Sequence, residues 1–144
     1  ELIKESLLVS PDRYQAIDDD LTWYQRRLRD LHDIFHVLTG FGREGLGEAN
    51  VLAFSWAQNG NNGSIFMAYM AGWQIQNRVN LPAMKCVSKA RKAGKRAVRL
   101  SDVPLTELLR KPLSVVRKEL NISPSPLYVS IIEEAGRRKR ARKG

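Results

Sequence analysis

Apolar residues recur at three- and four-residue intervals from Leu21 onward, through Tyr24, Leu28, Leu31 and Phe35 to Leu38. That is the period of one buried helical face, and it predicts a helix over residues 19–39. Asp18 to Asp20 supply a cap and negative charge at its start, and Gly40 a stop at its end. Upstream, residues 1–17 read as two short helical pieces, with Ser10-Pro11-Asp12 as a helix start. Downstream, a glycine-rich turn from Phe41 to Gly47 leads to a second helix over 46–58, and Asn59 to Ser64 form a loop. Residues 65–78 are apolar nearly all round, from Ile65 through Met67, Met70 and Trp73 to Ile75. Such a helix is buried or lines an apolar cavity or partner surface, and core packing is the expectation here.

A basic helix follows over residues 82–98, then a helical pair from Ser101 to Leu120, kinked or broken at Pro112. Asn121 to Pro126 read as a stop and Leu127 to Ile132 as an apolar end segment. No stretch alternates with period two over more than a few residues, and no internal repeat is visible. The expected fold is all-α, a single-domain multi-helix bundle over residues 1–130 around a helical hairpin. A basic tail over 131–144 is expected to be disordered.

Composition narrows the class. At 43% hydrophobic and 27% charged residues, the 144-residue chain is globular rather than disordered, with one domain's worth of core. Its single cysteine, Cys86, excludes an internal disulfide and fits a reducing compartment. No apolar run reaches membrane-spanning length, and no signal peptide opens the chain. The net charge of +9 is unevenly spread: residues 1–72 carry 6 Lys/Arg against 10 Asp/Glu, and residues 73–144 carry 18 against 5. The basic half must face nucleic acid, an anionic membrane surface or an acidic partner.

The acidic half holds the candidate chemistry. Both histidines of the chain, His32 and His36, lie four residues apart, one turn above the other on one helical face. Asp33 sits between them in sequence, and Glu48 opens the next helix, where a chain reversing over the turn can bring it back. Two imidazoles and two carboxylates suit a divalent transition metal (Zn, Fe, Mn, Co or Ni), and the absence of thiolates argues against a structural zinc finger. A metal phosphohydrolase of the HD type would need a further upstream histidine, which the chain lacks.

The pattern His32-Asp33-x-x-His36, eleven residues, Glu48 resembles the signature of the coenzyme Q (ubiquinone) biosynthesis family known as Coq-four. The lead-in from Asp18 to Asp30, the start Leu46-Gly47-Glu48, and Pro112 to Ile122 with Asn121 where glycine is usual are similar as well. Family members usually extend further at the N-terminus. The resemblance implies an α-helical fold and a metal held by His32, Asp33, His36 and Glu48, with zinc the usual assignment and Fe, Mn or Co as alternatives. It implies action on prenylated benzoquinone precursors, replacing the C1 carboxyl of the head group by hydroxyl, with Glu48 and Asp33 as the catalytic carboxylates. The implied partners are a prenylated quinone-precursor lipid, an anionic membrane surface, other ubiquinone-biosynthesis proteins and a second copy of the chain. The implied place is the periphery of an inner membrane, on the bacterial cytoplasmic face or the mitochondrial matrix side.

Three function classes remain open: metal-dependent enzyme of ubiquinone synthesis, non-catalytic lipid-binding scaffold of the biosynthetic complex, and basic nucleic-acid-binding protein. The basic helix carries Lys85, Lys89, Arg91, Lys92, Lys95 and Arg96 without aromatic platforms. That suits phosphate or lipid headgroups better than single-stranded bases. No recognisable reading motif accompanies it, which counts against nucleic acid.

Overall fold

The structure, a computed structural model, describes residues 20–60 and 62–142, with side chains from Asp30 onward except that of Leu105. The helical pieces expected in residues 1–17 lie outside the described residues. Among the described residues the protein is all-α, without a strand: α1 (Asp20–Thr39), α2 (Gly45–Asn59), α3 (Asn62–Val79), α4 (Ala83–Arg96), α5 (Leu105–Leu108), α6 (Leu113–Glu119) and α7 (Pro126–Ala141), with a 3-10 turn at Leu100–Asp102. The chain divides inside α1, between Ile34 and Phe35, into two compact units. The described part of the first is helix from Asp20 onward; the second holds the packed core.

Within the second unit α2 is the central element. Leu46, Ala49, Asn50, Val51, Ala53, Phe54 and Gln58 are buried, on more than one side of the helix, and α3 and α4 both pack against it. Phe35 meets Phe54 edge-on with ring centroids 5.3 Å apart, each ring 1% exposed and contributing about 1.5–3 kcal/mol by burial. Helix α4 lies so close to α2 that a Cβ on Gly94 would sit 2.6 Å from the Phe54 carbonyl oxygen, so only glycine fits the crossing. Its other inward residues, Ala83, Cys86, Val87 and Ala90, fall at helical spacing, while Lys85, Lys89, Lys92, Lys95 and Arg96 are exposed.

Two buried amides join these helices. Gln58 donates through Nε2 to Gly94 O (2.8 Å) and accepts from Leu100 N through Oε1 (3.0 Å), which satisfies both ends of a side chain that would otherwise cost free energy to bury. Asn50, fully buried, donates to Cys86 Sγ at 3.2 Å. Outside the core, Arg91 and Lys95 stand over the Trp56 ring at 5.7 and 5.5 Å.

Helix α3 departs from the expectation of core packing. Only Ala68 and Gly72 are buried, and Phe66, Met67, Met70 and Trp73 are 66%, 60%, 38% and 52% exposed. The reason is steric. The helix packs through its small residues, with a Cβ on Gly72 only 3.0 Å from Val87 Cγ2, and this leaves the large apolar side chains on the outer face.

The C-terminal segment corrects a second expectation. Where composition predicts a disordered basic tail from residue 131, α7 runs to Ala141. Ser125 Oγ caps it by accepting from Tyr128 N at 3.3 Å, with Pro126 at its first position. Tyr128 and Ile131 are buried, and Glu134 pairs with Arg137 and Arg138 at 2.8 and 2.7 Å, offsetting repulsion within the basic run. The helix break at Pro112 falls as expected, between α5 and α6. Asn121 adopts φ +55°, a left-handed conformation that asparagine tolerates nearly as well as the glycine usual in the similar segment; its Nδ2 donates to Arg96 O at 3.1 Å.

Candidate metal centre

The short turn between α1 and α2, braced from α6 and α7, sets the start of the helix that carries Glu48. Gly40 ends α1, its N–H donating to His36 O at 3.0 Å, and Phe41 is buried edge-on against Tyr128 with centroids 5.0 Å apart. Tyr128, from α7, accepts from Gly42 N (2.7 Å) and donates to Glu44 Oε1 (2.5 Å). Glu44 in turn caps α2, accepting from Gly47 N at 2.9 Å. A Cβ on Gly47 would lie 2.0 Å from Gly42 O, so the turn's main chain rests directly on the first turn of α2. From α6, Arg117 donates to Leu38 O (2.8 Å) and Val37 O (3.0 Å), satisfying carbonyls at the end of α1 that have no helical partner.

The result is a tightly specified imidazole. His36 Nδ1 lies 2.9 Å from Phe41 O; since a carbonyl only accepts, that nitrogen carries a proton, and Nε2 is the nitrogen turned towards Glu48. Nε2 is 3.3 Å from Glu48 Oε1, with the His36 side chain 9% and Glu48 39% exposed. A backbone carbonyl behind the distal nitrogen is the arrangement that orients metal-binding histidines.

Helix α1 is continuous from His32 to His36, and one ligand atom from each of His32, His36 and Glu48 lies within 4.8 Å of the other two. Nitrogen and oxygen donors so gathered can converge on one divalent ion, whose bonds run about 2.0–2.2 Å. Asp33 is outside this group; one residue on from His32, it is rotated by about 100° around the helix. Glu44 is the cap of α2 rather than a member of the group. Sequence reasoning missed Tyr128 and Arg117, which reach the site from 86 and about 80 residues away in sequence and leave no local signal.

Tyr128 gives the turn a pH dependence. Burial first, then the Glu44 carboxylate that takes its hydrogen bond, push the phenol well above its ordinary value of 10.0. The folded protein therefore holds this proton more tightly than the unfolded chain, and the stability so contributed is complete below pH 10.0 and declines as pH rises beyond it. Melting temperature is expected to fall with pH above that value more steeply in the parent than in Tyr128→Phe. The variant should lose about 1 kcal/mol at neutral pH from the hydrogen bonds to Gly42 and Glu44. Parallel alkaline profiles for the two proteins would remove Tyr128 from this role.

A family model described as "Coenzyme Q (ubiquinone) biosynthesis protein Coq4" matches residues 7–126. The chain is 28% identical over 126 residues to the "Ubiquinone biosynthesis protein COQ4 homolog, mitochondrial" of Mus musculus, covering 84% of this chain and 47% of that protein. It is 30% identical over 142 residues to the "Ubiquinone biosynthesis protein coq-4, mitochondrial" of Neurospora crassa, covering 94% of this chain and 40% of that protein. The chain thus spans about half the length, or less, of these curated relatives. No solved structure matches.

Proposed function

Because the chain belongs to the coenzyme Q (ubiquinone) biosynthesis protein Coq4 family, we propose that it serves ubiquinone synthesis as a metal-dependent enzyme acting on a prenylated benzoquinone precursor. The reaction is replacement of the C1 carboxyl of the head group by hydroxyl. Carboxyl leaves as CO2 and the ring carbon is oxidised by two electrons, with water supplying the hydroxyl and dioxygen taking the electrons to become hydrogen peroxide. The observation that carries the reading is the His36 pair of contacts, Nδ1 to Phe41 O and Nε2 towards Glu48, completed by His32 one turn earlier.

His32, His36 and Glu48 would hold the ion, zinc by family usage, with Asp33 as fourth ligand after a side-chain rotation. Bound there, the metal supplies a Lewis acid for an oxygen of the head group. The chain's own residues do the rest. Phe41 O keeps the His36 tautomer fixed, the buried side of the site excludes water, and the half-exposed Glu48 carboxylate orients the head group and receives its phenolic proton. The outer face of α3 offers the prenyl chain an apolar surface through Phe66, Met67, Met70 and Trp73. In the hairpin of α2 and α3, reversing at Gly60, Trp73 is about as far beyond the reversal as Glu48 is before it, so tail and head group can share one end. The exposed lysines of α4 would face anionic lipid. Among the described residues no helix is long and apolar enough to cross a membrane, which fits peripheral attachment to the matrix side of the inner membrane.

A second reading, a non-catalytic scaffold that binds prenyl lipid and organises partner enzymes, is favoured by the same exposed face of α3, since contiguous apolar surface of this kind marks lipid or protein contacts. Glu48→Gln separates the two. In a cell that depends on this protein, the enzyme reading expects ubiquinone to fall to a trace while one C1-carboxylated precursor accumulates, the variant being folded and abundant. Normal ubiquinone in that strain sinks the catalytic proposal; broad loss of late intermediates and of partner association supports the scaffold.

A further inference from the structure

The C-terminal end of α3 and the last turns of α7 border a half-open cleft of about 590 Å3 that plays no part in the site above. Its walls bring together four cations, Arg78, Arg138, Lys139 and Arg142, over a small apolar floor of Val79 and Ala135, and no carboxylate lines it. Arg138 is already engaged: Nε donates to Glu134 Oε1 at 2.7 Å and Nη1 to Val79 O at 2.8 Å. It therefore acts as a fixed wall that ties α7 to the end of α3. Arg78, Lys139 and Arg142 are exposed, carry one sign of charge and converge on one cleft, an arrangement that repels itself until an anion enters.

The chemistry of the anion follows from the lining. The volume lies within the range of small-molecule sites and is too large for a lone phosphate to fill. No aromatic side chain lines the cleft, so a nucleobase would find no stacking platform. Guanidinium groups favour bidentate pairing with phosphoryl oxygens, and two exposed ones, Arg78 and Arg142, line the cleft, enough to pair with two phosphoryl groups.

We propose that this cleft binds an anion carrying two phosphoryl groups, with Arg78 and Arg142 as its principal ligands and Lys139 neutralising the remaining charge. The group can come from a soluble diphosphate or from a two-phosphate lipid headgroup, whose recognition chemistry is the same. The assignment is independent of the metal reading.

The test uses the full chain, a cleft variant Arg78→Gln/Arg142→Gln and a charge-matched control Arg110→Gln/Lys118→Gln at exposed positions remote from the cleft lining and from α4. Inorganic pyrophosphate is titrated calorimetrically, and co-flotation is measured on phosphatidylcholine vesicles with and without cardiolipin. Melting temperature is expected to be unchanged in both variants, the substituted residues being exposed. Pyrophosphate binding weakened at least about tenfold in the cleft variant alone supports a soluble source. Cardiolipin-dependent flotation lost in the cleft variant alone, without pyrophosphate binding, supports the headgroup. Equal weakening in both variants, or no binding of either probe by the parent, overturns the proposal.

Discussion

A His36→Ala variant is expected to purify with less than about a tenth of the parent's metal, and to lose the chelator sensitivity of its melting temperature. Changing only a group that hydrogen-bonds to a metal ligand commonly costs 10- to 100-fold in metal affinity, and removing the ligand itself should cost more. His36 combines both roles: one ring nitrogen anchors on Phe41 O and the other faces Glu48. A ligand that binds only the folded chain stabilises it by mass action, about 2.7 kcal/mol when present at a hundred times its dissociation constant. The parent should therefore melt at lower temperature in chelator, and His36→Ala at one temperature with or without it. His36→Gln, which keeps an amide near Phe41 O, guards against a trivial folding defect. Full metal content and a preserved chelator shift in both variants would place the metal elsewhere.

Gly47→Ala should have the largest effect of any single added carbon. The new Cβ would stand 2.0 Å from Gly42 O and 2.7 Å from Gly42 C. These are main-chain atoms held by the Tyr128 hydroxyl, so no flexible side chain can swing aside. Inserted methyl groups in packed regions cost about 1–3 kcal/mol and occasionally more. In a chain of this size, that corresponds to a melting temperature lower by about 3–10 °C. The effect on metal should exceed what stability explains, because moving the turn displaces both Phe41 O and the start of α2. Metal affinity measured well below the melting point distinguishes the two, and unchanged affinity in a destabilised variant would free the site from dependence on this close approach.

Local signals carried the parts of the site that are local. The apolar period and Gly40 marked α1 and its end, the four-residue spacing marked the histidine pair, and the turn allowed Glu48 to return. Asp33 was harder, since sequence adjacency to a ligand says nothing about azimuth, and Asp33 stands outside the group formed by His32, His36 and Glu48. Glu44 is used as the cap of α2 and accepts from Tyr128, a partner that no local pattern could connect to it. The apolar run of α3 shows the limit of periodicity. A helix apolar on every side does not reveal which side packs, and Ala68 and Gly72 won because small residues permit the closest approach to α2 and α4. Basic composition misled at α7, where the cap at Ser125, the buried Tyr128 and Ile131 and the Glu134 pairs outweigh the run of like charge.

The contact between Asn50 and Cys86 makes the chain its own reporter. Cys86 is the single cysteine of the sequence, it is 1% exposed between α2 and α4, and burial pushes its thiol up from its ordinary value against the opposing hydrogen bond from Asn50. Thiolate is the reactive form, so alkylating reagents and peroxide find almost no target while the helices stay together. Modification must wait for α2 and α4 to part. The rate of labelling at this one sulfur, followed by mass without any engineered probe, thus times the breathing of the interface that carries Glu48 on its other face.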